Sequence, residues 1–246
     1  MGDIGQVYGD GRRRITDLVT QADPEQLQTV VPSCPEWTVT DVVAHLAGVC
    51  TDVLEGRLDG VATDPWTAAQ VEARKGRSIE ELVEEWSSAA PQVEAMAAHF
   101  PGRVATQWVL DMTTHEHDIR LALGAPGARD SEAVQVGLGF MVGGLAASVA
   151  ARGLPPLEVK ADGSSWVVGG GEGETDLGAV LLGAEPPMGG TPAAAVEAPA
   201  FELFRALTGR RSAAQVRGYS WTGDADRYLP AFEFGPFKTS PVDITE

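Results

Sequence analysis

Apolar residues recur at helical spacing through the first 150 positions, and the pattern then changes. Ile15, Leu18, Val19 and Ala22 share one face of a predicted helix over 12–22. Thr38 followed by Asp41 is a variant capping box, with Trp37 and Val42 in the staple positions. It opens a second helix whose stripe is Val42, His45, Leu46, Val49 and Val53. Asp64-Pro65 starts a short third helix running to Arg74. Ser78 and Glu81 form another capping box ahead of a long fourth helix, with Ile79, Leu82, Val83, Trp86, Val93 and Met96 inward. A fifth helix is predicted from Val104 to Leu123, stopping at Gly124, and a sixth from a cap at Asp130 or Ser131 to about Arg152. Short loops between amphipathic helices predict an up-and-down four-helix bundle with decorations.

Beyond Pro156 the texture is mixed. Leu157–Ala161 and Ser165–Val168 read as hairpin arms joined by Asp162-Gly163, with another strand near 194–197 and a helix over 200–208 ended by Gly209. The glycine run 169–173 lacks the Lys and Ser/Thr of a phosphate loop and reads as a flexible turn. The expected class is α+β: a helical bundle over 1–152, followed by a small α+β domain over 153–246.

Composition adds exclusions. With 43% hydrophobic and 22% charged residues, the 246-residue chain can bury a real core. Its net charge of −17 repels phosphate backbones and anionic lipid, so neither nucleic acid nor a membrane surface is an expected partner. The uncharged stretch 136–151 is shorter than the ~20 residues of a spanning helix and reads as a buried helix rich in Gly and Ala. No signal-like segment follows the N-terminal arginines, and Cys34 and Cys50 have neither metal nor disulfide spacing, which fits a reducing cytoplasm. The chain is expected to be a monomer or homodimer.

The chemistry sits among four histidines, His45, His99, His115 and His117. His45 interrupts an apolar stripe, and Asp111 and His115 stack one turn apart at the edge of the inward face of the fifth helix. Two neutral nitrogens and a carboxylate converging inside a bundle suit a divalent metal with an open position, zinc best by ligand type, though nickel, iron or copper offer alternatives. The plainer reading is a hydrogen-bonded core histidine and an intrahelical Asp–His contact. Asp118 is placed either behind a ligand imidazole or in solvent, His117 in solvent or between domains, and Cys34 near the site but in a packing role. Cys50 reads as inert filling and Arg12–Arg14 as a solvated face.

The segment from Val31 to Gly48 resembles the N-terminal signature of the mycothiol-dependent maleylpyruvate isomerase family, within the DinB-like bundle superfamily. Asp111 to Arg120 resembles the family's second metal motif, and Phe201 to Ser212 its C-terminal helix with a Gly-Arg motif. The resemblance implies a DinB-like fold, His45, Asp111 and His115 as metal ligands, and mycothiol as thiol cosubstrate. It also implies Arg210 as the arginine that meets a substrate or thiol carboxylate at the domain interface. The isomerase carries Glu where this chain has Asp111, a carboxylate reaching about 1.5 Å less. Either the helices approach more closely here or the site is tuned differently. The implied activity is thiolate activation for transfer to, or cis-trans isomerisation of, a small electrophile. Transfer ranks first, because members of the family serve other substrates. A non-catalytic metal- or ligand-binding scaffold is the alternative.

Overall fold

The computed structural model describes residues 2–101 and 103–246. The chain forms two compact units. One comprises the chain up to Phe100 with Asp111–Gly127, and the other comprises Pro101–Leu110 with Ala128–Thr245.

In the first unit, α1 (Ile4–Gln21) is followed by the single turn α2 (Pro24–Leu27) and an antiparallel ribbon of β1 (Val30–Val31) and β2 (Cys34–Thr38). Then come α3 (Val39–Glu55), α4 (Asp64–Glu72) and α5 (Ile79–Met96), and finally the part of α6 (Val104–Leu123) from Asp111 on. α1, α3, α5 and α6 make the four-helix bundle that the periodicity predicts. The caps act as read: Thr38 and Ser78 accept from the amides of Asp41 and Glu81, whose carboxylates return the bond to the cap amides. Tyr8, Ile15, Leu46, Leu82, Trp86 and Met112 fill its core. Met96 is 43% exposed, so the inward stripe of α5 ends one turn early.

α1 starts eight residues before its predicted position, capped by the Asp3 side chain on the Gly5 amide. Its first turns are glycine-rich because α5 lies against them: a Cβ on Gly9 would come within 3.1 Å of the Glu94 carboxylate. Glycine carries no hydropathy signal, so this buried face is silent in the pattern. Arg12–Arg14 is not a solvated run. Arg12 bonds Glu94 at 2.8 Å, and Arg14 forks the fully buried Glu116 at 2.8 and 2.6 Å, leaving only Arg13 outside.

The second unit holds the start of α6, up to Leu110, and then α7 (Glu132–Ala151). Next come β3 (Leu157–Ala161), β4 (Ser164–Val168), α8 (Leu177–Leu181), β5 (Ala194–Glu197) and α9 (Ala200–Leu207). The chain continues through α10 (Ala213–Arg217), β6 (Ser220–Thr222) and α11 (Ala225–Tyr228). The sheet order is β4-β3-β5-β6, antiparallel except for the β3–β5 pair. Asp162 and Gly163 both have positive φ, 44° and 85°, the backbone a two-residue hairpin loop demands. The glycine run packs closely instead of flexing free: a Cβ on Gly173 would meet the Pro187 backbone at 2.6–2.7 Å.

By compactness the chain divides elsewhere than at 152/153, because α7 shares its core with the sheet and α9. α7 is apolar on every face and needs cover on every face. It is long and apolar enough to cross a membrane, but 83% of its apolar window is buried inside the protein, as in a core helix. Rings press directly on its backbone: a Cβ on Gly137 would lie 2.6 Å from Phe204, and one on Gly144 2.5 Å from Phe234. A Cβ on Gly139 meets nothing within 4 Å. Gly137→Ala and Gly144→Ala are therefore expected to destabilise by about 1–3 kcal/mol in chemical denaturation. Gly139→Ala should be neutral or stabilising by up to ~1 kcal/mol. Equal effects at all three positions would contradict this packing.

Candidate metal centre

β2 runs straight into the N-cap of α3, which sets Cys34 and Trp37 at the head of the helix that carries His45. His45 is buried within the bundle, and its Nε2 lies 3.3 and 3.5 Å from the two Asp111 carboxylate oxygens. One turn along α6, His115 brings its Nε2 to 3.7 Å from Asp111 Oδ1. One donor atom from each of the three residues falls within 4.8 Å of the others. Nitrogen and oxygen ligands ~2.0–2.2 Å from a tetrahedral zinc stand ~3.3–3.5 Å apart, so the donor set fits such an ion with little adjustment.

The rings are oriented from behind. His45 Nδ1 is 2.7 Å from Gln70 Oε1, while Gln70 Nε2 donates to Asp52 Oδ2 at 2.8 Å. Arg57 holds the other Asp52 oxygen through Nε at 2.9 Å and Nη2 at 2.6 Å. With the amide NH2 committed to a carboxylate, the Gln70 carbonyl must face the ring. His45 Nδ1 therefore carries the hydrogen, and Nε2 is left to face Asp111. On His115, Nδ1 faces Asp118 Oδ2 at 3.5 Å. Trp37 covers both imidazoles, its ring centroid 5.2 Å from that of His45 and 5.9 Å from that of His115.

Burial by itself pushes the His45 pKa down. The Asp111 carboxylate and the Gln70 hydrogen bond outweigh it, and the net direction is up. Cys50 is inert as read: burial raises its pKa to about 12, and its sulfur lies 3.4 Å from the Tyr8 hydroxyl.

Asp118 is fully buried beside His115, which removes the solvent alternative. His117 is buried as well, contrary to the solvent expectation. On the same turn, Glu116 ties α6 to α1 through Arg14 and also accepts from Arg120 one turn along its own helix. Cys34 approaches Asp118 Oδ2 at 3.8 Å, so it does stand close to the site. Arg210 belongs to the second unit, past the end of α9, where its Nη1 donates to the Thr208 carbonyl at 2.6 Å. Sequence reasoning missed Gln70, Asp52 and Gly48. Asp52 had a signal, seven residues beyond His45 on the same helical face; Gln70 had none. Gly48 makes room for Gln70, since a Cβ there would lie 2.7 Å from that of Gln70 and 2.9 Å from Arg74 Nη1.

The first unit is thus a helical-bundle domain with a two-histidine, one-carboxylate cluster in its interior. Residues 8–124 match the family described as the mycothiol maleylpyruvate isomerase N-terminal domain. Among solved structures, the crystal structure of a mycothiol-dependent maleylpyruvate isomerase is similar, with a TM-score of 0.53, 10% identity and coverage of 89% of this chain and 91% of that one. A histidine-to-alanine mutant of that enzyme matches equally, with a TM-score of 0.53 at 10% identity and the same coverage of both chains. At that identity the likeness establishes the fold. No curated protein sequence matches the chain significantly.

Two expectations follow. Gln70→Leu removes the acceptor behind His45 at similar volume, and Gly48→Ala pushes the same side chain away. Each should weaken zinc affinity roughly 10- to 100-fold with helicity intact by circular dichroism; unchanged affinity in both would refute the relay. The second concerns pH. In metal-free protein, the raised His45 pKa contributes stability that is present below about 6.5 and is lost as pH rises through the folded value. A cation needs neutral imidazoles, so its contribution has the opposite sign. The thermal stabilisation given by added zinc should therefore grow with rising pH across that window. A gain that shrinks instead would count against His45 as a ligand.

Proposed function

We propose that this protein is a mycothiol-dependent enzyme that activates the thiol at a divalent cation, zinc by donor type, and delivers it to a small electrophile. The observation that carries this reading is the spacing of the His45, Asp111 and His115 donors, close to the edges of one metal polyhedron, with the outer edge of His45 already hydrogen-bonded. A cation on these residues would supply the Lewis acidity that deprotonates a thiol, whose pKa is otherwise ~8.5, at neutral pH. The chain's own groups prepare that position. Gln70 presents His45 Nε2 inward, Asp118 stands ready to accept from His115 Nδ1, and Trp37 shields both rings from water. Arg210 is our candidate for receiving a carboxylate of the substrate or the thiol, on the strength of the Gly-Arg motif after α9. The thiolate adds to an activated double bond or displaces a leaving group. In transfer the new carbon–sulfur bond persists, and in isomerisation it breaks after rotation. We place transfer ahead of isomerisation.

Metal analysis of protein purified without chelators should find about one zinc per chain. His45→Ala and His115→Ala should each lose it while staying helical. A model electrophile should be conjugated only when mycothiol is supplied. Metal without thiol-dependent turnover would point to a binding scaffold, and protein that never takes up metal would overturn both readings.

A further inference from the structure

His115 has a second edge, to which the function above gives only a hydrogen bond toward Asp118. Its Nδ1 is buried and makes no hydrogen bond, although Asp118 Oδ2 lies 3.5 Å away and Cys34 Sγ stands 3.8 Å from that same oxygen. One donor atom from each of Cys34, His115 and Asp118 falls within 4.8 Å of the others. Were Asp118 only an acceptor for this ring, the contact would be a short, well-aligned bond of ~2.7–3.0 Å. The separations fit a metal polyhedron better. A sulfur ~2.3 Å and an oxygen ~2.1 Å from a tetrahedral ion stand ~3.6 Å apart, and a nitrogen and an oxygen ~3.4 Å apart. Thiolate, imidazole and carboxylate together suit a thiophilic ion.

We propose that Cys34, Asp118 and the Nδ1 edge of His115 form a second cation site, for a thiophilic ion such as zinc, cadmium or copper(I), which competes with the His45–Asp111 site for one imidazole. A neutral imidazole has a single lone pair. With an ion at Nε2, the ring hydrogen sits on Nδ1 and faces Asp118. With an ion at Nδ1, the hydrogen moves to Nε2 and faces Asp111. On binding, Cys34 releases its thiol proton to solvent and no electrons are exchanged. Capture of a soft ion at Cys34 thus disables the first site without touching His45. The competition rests on the metal reading given above, whereas the second site stands on its own residues.

Cadmium titration of the full chain, followed by the ultraviolet thiolate-to-cadmium charge-transfer band, tests this. The wild type should develop the band, Cys34→Ser should lack it, and His45→Ala should keep it. Asp118→Asn should need at least ~10-fold more cadmium. Zinc preloading should move the wild-type midpoint to higher cadmium. Zinc uptake by Cys34→Ser, measured separately, reports that the variant is folded and whether the first site binds metal at all. No band in the wild type, or a band that survives Cys34→Ser, overturns the second site. A midpoint indifferent to preloaded zinc overturns the competition.

Discussion

Two imidazoles buried within a helical bundle must be satisfied on both edges, and this requirement shapes much of the first unit. Leaving such groups unpaired costs several kcal/mol each. The inner edges of His45, Asp111 and His115 meet one another. The outer edge of His115 faces Asp118 on its own helix, and the outer edge of His45 is met from outside the four helices. Gln70 is the one residue of α4 that is buried, and α4 presents no apolar stripe to the bundle. The helix is held by polar contacts instead: Gln70 to His45 and Asp52, and Arg74 to Glu85, both seated where Gly48 leaves the surface of α3 open. A connecting segment thus becomes part of the site, fixing the tautomer of a ring on a different helix.

The same constraint explains which parts of the molecule were legible. The starts of α3 and α5 were, because capping boxes are local; Thr38–Asp41 and Ser78–Glu81 form as their spacing says. The three clustered donors were too, because periodicity alone puts His45 on a buried stripe and stacks Asp111 on His115. What escaped depends on long-range partners. Arg12 and Arg14 read as solvent-facing, yet each pairs with a carboxylate on another helix, since a charged residue goes inside wherever tertiary structure supplies its counterpart. The glycine face of α1 and the seating of Gln70 escaped for a related reason: both are close approaches of backbone to side chain, invisible to hydropathy. The membership of α7 follows from its apolar circumference, but only the sheet beneath it reveals which unit supplies the cover.

Asp111 illustrates how a short side chain and a helix spacing are matched. The family resemblance places a longer carboxylate at this position, and its replacement left open whether the donors would still meet. Here the shorter arm still brings its oxygens to 3.3 and 3.5 Å from His45 Nε2. The other carboxylates on the same stretch of α6 have separate duties. Glu116 ties α6 to α1 through Arg14, and Asp118 stands at the far edge of His115. Three acidic residues within eight positions thus face His45, Arg14 and His115 in turn.

An imidazole placed between two sets of donors differs from one placed against a single set. His45 has its outer nitrogen committed to an amide that cannot turn, because the amide is itself bound to Asp52, so only one tautomer satisfies the relay. His115 has no such lock. Its outer nitrogen faces a carboxylate and, beyond it, a thiol, both of which tolerate either tautomer: a hydrogen on Nδ1 is drawn to the carboxylate, and a lone pair there finds two further metal donors. The cluster therefore joins one imidazole of fixed tautomer to one whose outer nitrogen makes no hydrogen bond. Beside that carboxylate the chain has set the one half-buried thiol among the described residues.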